Sequence, residues 1–325
     1  MIRVYTYQDG RLHQVDGVDG ATGPLWVDLN NPTAEEELRL EGRLGLDIPT
    51  REEMEEIEQS ARLYVEDGAV FMTATLPAGA DTDEPVMAPI TFVLTPTRLI
   101  TVRYHGPRSF ETFPVRAAKA APGCATPEGI LLALLETTIE RQADILERVG
   151  RDVEGISRDI FSKSGEPGGK PRPDRDMRRI LEEIGRKGDM TSNIRQSLVS
   201  LERLLGYLSL HMPVRKGEKD DRARVKTLSR DAHALVEHAA FIASKITFLL
   251  DATLGLINIE QNAIIKIFSV AAVVFLPPTL VASIYGMNFE GMPELTWPLG
   301  YPFALGLMIL SATLPFLYFK RRGWL

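Results

Sequence analysis

Near its C-terminus the chain carries no charge from Ile267 to Phe289, crosses the short acidic stretch from Glu290 to Glu294, and is uncharged again from Leu295 to Phe319. A hydrocarbon core of about 30 Å is crossed by about 20 apolar residues in helical form, so each run is long enough to span a bilayer. The linker between them is too short to fold as a domain. The pattern therefore predicts a hairpin of two transmembrane helices, at 264–288 and 299–319, joined by an extracytoplasmic loop at 289–298 and followed by a basic tail at 320–325. Lys266 stands at the start of the first span and Lys320, Arg321 and Arg322 follow the second, while the loop carries only Glu290 and Glu294. Lys and Arg mark the cytoplasmic side, so both termini are expected there. The opening residues lack the apolar core of a signal peptide, and no export of the body is expected.

Upstream the period changes. Ile2 to Tyr7, Leu25 to Leu29, Ala69 to Leu76, Ile90 to Leu94 and Leu99 to Tyr104 are β-rich runs bounded by Gly, Pro, Asn and Asp, and read as strands. Thr33 and Thr50, each followed by an acidic stretch, read as helix N-caps. Together they predict a compact acidic α/β domain at 1–122. From Pro127 the strands stop. Ile130 to Phe161 and Met177 to Leu210 have helical periodicity, broken by the Pro- and Gly-rich stretch from Ser164 to Pro173 and ended by Pro213. Residues 123–215 are thus expected to form helices that pack on a stalk helix at 216–263. From about Asp221 no proline intervenes until Pro277, and the apolar pattern passes through Leu249-Leu250-Asp251 into the first span without a turn signal. Roughly sixty helical residues make a rod roughly 90 Å long. Such a rod needs partners, either the middle helices folded back on it or its own copies in an oligomer.

One face of the first span reads Asp251, Gly255, Asn258, Asn262, Ile265, Ser269, Ala272, Leu276, Thr279 and Ser283. The second span is rich in Leu, Met, Phe and Tyr, which suits lipid. Small residues by themselves make a packing seam, but Asp251, Asn258 and Asn262 add polar groups that an inert seam would not hold, so the stripe reads as a pore wall. Asn262 would mark the cytoplasmic entrance. Leu276 would form an apolar constriction, with Thr279 and Ser283 placed to hydrogen-bond hydrated ions. Pro277-Pro278 removes two backbone donors and permits a kink.

Composition alters this picture only when the two parts are separated. The averages, 44% hydrophobic and 25% charged, conceal a polar body and an apolar tail, and the net charge of −7 with a basic end makes the body more acidic still. Such a body suits cations and not nucleic acid, whose phosphates need clustered Lys and Arg. A single cysteine, Cys124, excludes a disulfide framework and a Cys-rich zinc site. The five histidines lack zinc-site spacing. Ser164 to Pro171 departs from a phosphate-binding loop at its first Gly and after its Lys. No enzyme activity, ATP coupling or organic cofactor is expected. A divalent ion crossing 100 mV gains about 4.6 kcal/mol, which is enough for passive uptake.

Tyr285-Gly286-Met287-Asn288-Phe289 follows the first long apolar helix directly, with Met292-Pro293-Glu294-Leu295 and a second span after it. In that setting the Gly-Met-Asn motif resembles the CorA family of magnesium transporters. Gly255 to Asn262, Phe275-Leu-Pro-Pro-Thr279 and the tail from Tyr318 to Leu325 are similar to its proteobacterial branch. The resemblance covers the whole architecture. It implies a funnel-shaped homopentamer in the bacterial inner membrane, surrounded by lipid, with the first span lining the pore. It also implies Mg²⁺ influx with Co²⁺ and Ni²⁺ as passengers, an outer selectivity ring at Gly286, Met287 and Asn288, and closure by intracellular Mg²⁺ bound between subunits.

The residue types suit that chemistry. Magnesium sheds water reluctantly, so a fast site should grip its hydration shell. Asn288 amides would accept hydrogen bonds from those waters, and Gly286 would let its carbonyl approach. Gly and Asn are equally ordinary helix C-cap residues, and the two readings are compatible. Asp251 would form a second ring of metal-facing groups, or else a solvated stalk charge. Glu290 and Glu294 would concentrate cations at the outer mouth. The regulatory carboxylates are sought among Glu52, Glu53, Glu55, Glu56 and Asp231, any of which is otherwise a solvated surface charge. Two alternatives stand beside this reading: a zinc transporter on the same scaffold, and a membrane-tethered metal sensor that does not conduct.

Overall fold

The computed structural model describes residues 1–15, 25–82, 85–161, 177–212, 219–287, 291–293 and 297–324. Its contacts separate into two compact units, Met1–Leu249 and Leu250–Leu325.

Among the described residues the first unit contains seven strands: β1 (Ile2–Gln8), β2 (Arg11–Val15), β3 (Trp26–Asn30), β4 (Leu63–Glu66), β5 (Ala69–Ala78), β6 (Val86–Leu94) and β7 (Leu99–Arg103). They form one mixed sheet in the order β2-β1-β3-β7-β6-β5-β4, antiparallel throughout except for the parallel pair β3 and β7. Side chains alternate between two cores, as the period of a strand requires. Tyr5, Trp26, Met72, Phe92 and Leu99 enter one core, and their neighbours Val4, Val27, Phe71, Val93 and Ile100 enter the other.

Two strands go beyond the sequence reading. β2 and β4 are the sheet's edges; β2 buries only Leu12, and β4 buries no residue fully, so neither presents a strong apolar alternation. Their turns do carry a signal. Asp9-Gly10 and Asp67-Gly68 both have positive φ at each residue (49° and 76°, 48° and 74°), the type I′ geometry that matches strand twist and favours Asp-Gly. β6 also starts at Val86, ahead of the expected Ile90, because Thr75 to Ala78 of β5 continue to pair with it.

On the first core, the adjacent strands β3 and β7 carry a buried ion pair. Arg103 donates from Nη2 to Asp28 Oδ2 at 2.8 Å and from Nε to Oδ1 at 3.0 Å, with side chains 2% and 1% exposed. Thr101 Oγ1 donates to Asp28 Oδ1 at 2.9 Å and in turn accepts from Trp26 Nε1 at 3.1 Å. The remaining Arg103 donor Nη1 reaches the His105 carbonyl at 2.8 Å, and the guanidinium lies 4.9 Å from the Phe110 ring centroid. The carboxylate and guanidinium are thus held in a satisfied network, the condition under which a buried pair is tolerated.

The helices of this unit are α1 (Ala34–Leu44), α2 (Arg51–Glu55), α3 (Gln59–Arg62), α4 (Ser109–Ala117), α5 (Pro127–Phe161), α6 (Met177–His211) and the first part of α7 (Lys219–Tyr285). Thr33 and Thr50 cap α1 and α2 as expected, each in a reciprocal capping box, with Glu36 and Glu53. α5 and α6 pack on the sheet and on α7. Val225, Leu228 and Ala232 of α7 join the first core beside Leu201, Leu204, Leu205 and Leu208 of α6. Further along α7 the buried residues Ala239, Ile242, Ile246 and Leu249 recur at helical spacing, with Gly150 of α5 and Gly188 of α6 giving Ile242 and Ile246 room.

Replacing Asp28 by Ala would leave the Arg103 guanidinium buried without a counter-charge. Loss of one partner from such a pair costs about 3–5 kcal/mol. The expected result for Asp28→Ala is a lower urea midpoint for labelling of Cys124, the single thiol, which is 2% exposed in the folded chain. An unchanged midpoint would show that the pair contributes nothing to the body's stability.

Candidate ion pathway

The second unit holds the rest of α7 and α8 (Gly300–Arg321). Both helices are long and apolar enough to cross a membrane. Their uncharged stretches, Ile267 to Tyr285 and Gly300 to Phe319, are each about 28–30 Å long at 1.5 Å per residue. Cations and aromatic rings meet at one end of the pair. Lys266 Nζ lies 5.8 Å from the Trp324 ring centroid, Arg322 lies 5.6 Å from that of Tyr318, and Phe319 stacks on Trp324 at 5.2 Å. The start of the first apolar stretch and the end of the second therefore share a level, with the basic and aromatic character of a membrane interface.

The two faces of α7 differ in this unit. Among the described residues of its apolar stretch only Val270 is fully buried, with Val274, Pro277, Pro278, Val281 and Tyr285 partly buried on the same side. Asp251, Asn258, Asn262, Ile265, Ser269, Leu276, Thr279 and Ser283 are all exposed. At about 100° per residue the centre of that stripe lies roughly 150° around the helix from the packed face. The polar stripe thus belongs to the surface of α7 that a single chain leaves uncovered, as do the apolar Ile259, Ile267, Phe268 and Phe275. Thr279 Oγ1 donates back to the carbonyls of Phe275 (3.1 Å) and Leu276 (2.8 Å), so its hydroxyl proton is used within the helix and its lone pairs can accept from a water proton. α7 remains helical through Pro277 and Pro278, although the carbonyls of Val273 and Val274 face residues with no backbone N–H to give.

The helix closes at Gly286, whose N–H donates to the Ala282 carbonyl at 2.9 Å, and Met287 N–H reaches Ile284 O at 3.3 Å. Gly286 is not in the left-handed conformation of the usual glycine cap. A Cβ there would stand 3.0 Å from the Ala282 carbonyl oxygen, a tight contact. Met287 is exposed. Asn288, Glu290 and Glu294 lie outside the described residues.

The other carboxylates considered lie in the first unit. Glu52, Glu53 and Glu55 are on α2, Glu56 caps its end and Asp231 is on α7, all exposed. Two of these already have local partners. Glu53 accepts from Thr50 N at 2.8 Å and Thr50 Oγ1 at 3.0 Å, and Glu55 pairs with Arg51 at 3.2 Å. The acidic field around α2 is visible in two tyrosines. Burial first, and then the charges of Glu66, Glu53 and Asp47, push the Tyr64 phenol up to about 12. Burial, the hydrogen bond to Glu37 and the charges of Glu37 and Glu52 push Tyr104 upward as well. Asp231 shares a cleft with Glu136, Glu140 and Arg224. Among the described residues, no three His, Cys, Asp or Glu side chains of one chain come together in a way that could hold a metal.

Sequence spacing signalled nothing of two further groupings. Asp81 binds Arg108 at 2.8 Å, Arg141 at 2.5 Å and Arg148, and the Arg148 hydrogen bond is the main cause that holds its carboxyl below the usual range. Arg62, Arg195 and Arg203 line a common cleft. Both sets come from elements far apart in the chain.

Residues 22–321 match the family model described as CorA-like Mg²⁺ transporter protein. The magnesium transport protein CorA of Escherichia coli K12 is 36% identical over 327 residues, with all of both chains covered. Among solved structures, the CorA magnesium transporter of Methanocaldococcus jannaschii shares the fold with a TM-score of 0.77 at 20% identity, covering 100% of this chain and 99% of the other. The cytoplasmic domain of ZntB from Vibrio parahaemolyticus superposes with a TM-score of 0.58 at 9% identity, covering 79% of this chain and 97% of its own. The last two matches establish a common fold. The family match and the full-length identity to the Escherichia coli protein go further, and on them this chain belongs to the CorA-like Mg²⁺ transporter family.

Proposed function

We propose that the chain assembles as a homopentamer in the inner membrane, with both termini cytoplasmic, and passes Mg²⁺ passively into the cell. The observation that carries this reading is the uncovered polar face of α7, which leads straight to Gly286-Met287-Asn288 in a chain of this family. Polar groups in a span are expensive against lipid and are expected to face protein or water. Copies of α7 around an axis would give the stripe both.

Ions would leave on the cytoplasmic side, toward the net-acidic body. In the outer ring, Asn288 amides and the Gly286 carbonyl would accept hydrogen bonds from a hydrated ion, and neutral acceptors would let it go again. Glu290 and Glu294 would gather cations before it. Thr279 and Ser283 would offer further acceptors, Leu276 would close the path when the ring of copies narrows, and Asn262, Asn258 and Asp251 would receive the ion on the cytoplasmic side. Co²⁺ and Ni²⁺ form similar hexahydrates and would pass by the same contacts. The fold is shared with a ZntB domain, so fold alone does not choose the cation. The reading of magnesium rests on the full-length relatives, which are named magnesium transport proteins.

Closure would come from intracellular Mg²⁺ shared between neighbouring bodies. Net-acidic bodies side by side repel one another, and a divalent ion held by carboxylates of two chains, with Glu52, Glu56 and Asp231 as candidates, offsets that repulsion. Such an ion shifts the equilibrium only if it binds the closed arrangement better.

Asn288→Ala tests the ring. The variant is expected to keep the native mass of a pentamer in detergent while its Mg²⁺ flux into liposomes falls to the level of protein-free vesicles. Wild-type flux would remove Asn288 from the pathway, and a dimer mass would refute a shared pore. Flux of Zn²⁺ in place of Mg²⁺ in the same assay would point to the zinc reading. For gating, wild-type flux at fixed driving force is expected to drop as internal Mg²⁺ rises from nominally zero to several millimolar. A flux that ignores internal Mg²⁺ would contradict the regulatory reading and leave the pore untouched.

A further inference from the structure

A cleft of about 580 Å³ opens beside β4, at the edge of the sheet, and runs along α6. Its lining holds three guanidinium groups, those of Arg62, Arg195 and Arg203, and no carboxylate. Several other arginines of the unit have carboxylate partners: Arg103 pairs with Asp28, Arg116 with Glu140, Arg224 with Glu136, and Arg108, Arg141 and Arg148 share Asp81. In a chain of 37 cationic and 44 acidic residues such pairing is the easy outcome. The three arginines of the cleft lack it among the described residues.

Arg62 is the anchored member. It is half-buried, donating from Nε to the Glu56 carbonyl at 2.6 Å and from Nη1 to Thr75 Oγ1 at 3.2 Å, both neutral partners. Its pKa is lowered by burial first and by the charge of Arg203 second, so the two guanidinium groups are near enough to repel. Arg195 and Arg203 are exposed and stand two turns apart on one face of α6, with Ser192 and Gln196 among the polar groups between and beside them. Ile57, Leu63 and Val199 form an apolar side to the same cleft, and Ile57 is 91% exposed. Unneutralised like charges held around a concavity favour a multiply charged anion. The planar guanidinium fork matches phosphate oxygens in pairs. A volume of this size admits a small molecule with an apolar part as well as phosphate.

We propose that this cleft binds the phosphate groups of a small phosphorylated anion, with Arg62, Arg195 and Arg203 as the binding residues. The site is independent of the ion pathway: it lies wholly in the first unit and shares no residue with the polar stripe of α7.

The test is titration calorimetry on the full-length protein in detergent, without Mg²⁺, using inorganic phosphate, diphosphate, triphosphate and ATP in turn. Saturable binding of at least one of them is expected, strengthening with the number of phosphates. Arg195→Gln and Arg203→Gln, both on the exposed face of α6, should each weaken it by about tenfold or more, the loss of a charge-assisted hydrogen-bonding partner. The labelling midpoint of Cys124 should stay unchanged and so exclude misfolding. Inorganic triphosphate binding as tightly as ATP would assign recognition to phosphate alone, whereas ATP binding tighter than triphosphate, with the excess abolished by Ile57→Ser, would extend the site to a nucleoside. No saturable binding of any of these at millimolar concentration, or binding indifferent to both arginine substitutions, would overturn the proposal and leave the arginines to solvent or to carboxylates of a neighbouring chain.

Discussion

Hydrocarbon offers no hydrogen-bond partner, so a chain that crosses it must satisfy its backbone within each segment. That constraint accounts for the second unit, Leu250–Leu325. The two uncharged stretches are helices, α7 runs on through Pro277 and Pro278, and its polar side chains gather on one face. It also sets a cost on the polar face of a single chain. Val270 and its partly buried neighbours cover one side of α7, whereas Asn258, Asn262, Ser269, Thr279 and Ser283 are left open on the other. A lipid environment would penalise that face, and further copies of the helix would relieve it.

The first part of the same helix obeys a different rule. Val225, Leu228, Ala232, Ala239, Ile242, Ile246 and Leu249 are buried against α5, α6 and the core of the body, so α7 is the third helix of a bundle there. Ion pairs from Arg224 to Glu136 and from Lys245 to Glu154 lie on the exposed flanks and add little to that packing. The body is organised by burial, with one charged pair, Asp28 and Arg103, enclosed in the sheet. In the proposed ring of copies its net negative charge would be the source of repulsion that a divalent ion relieves.

Much of this was legible in the residues. Thr33 and Thr50 announced two helix starts because capping chemistry is local, and the uncharged runs announced two spans because bilayer thickness sets their length. The stripe on α7 was readable because a helix repeats every 3.6 residues. β2 and β4 were not read as strands: edge strands bury too little to show alternation, although Asp9-Gly10 and Asp67-Gly68 held the hairpin signal. The acidic cluster on α2 was readable as charge on a helix but not in its pairing, for Glu53 serves its own capping box and Glu55 pairs with Arg51. Arg62, Arg195 and Arg203 could not have been grouped from spacing, since only the fold brings α3 beside α6. A metal site shared between chains has no signature within one chain.

The central claim is that the uncovered face of α7 lines a water-filled path. Cys124 is buried, with its thiol pushed up by burial, and so gives a silent background for single cysteines placed elsewhere. Cysteines at Ser269 and Thr279 on the stripe, and at Val270 and Val274 on the packed face, would be exposed to a charged thiol reagent while Mg²⁺ flux into liposomes is followed. The account predicts that modification at Ser269 and Thr279 blocks flux and that Val270 and Val274 do not respond. Block at Val270 and Val274 with none at Ser269 and Thr279, or the same response at all four, would contradict it.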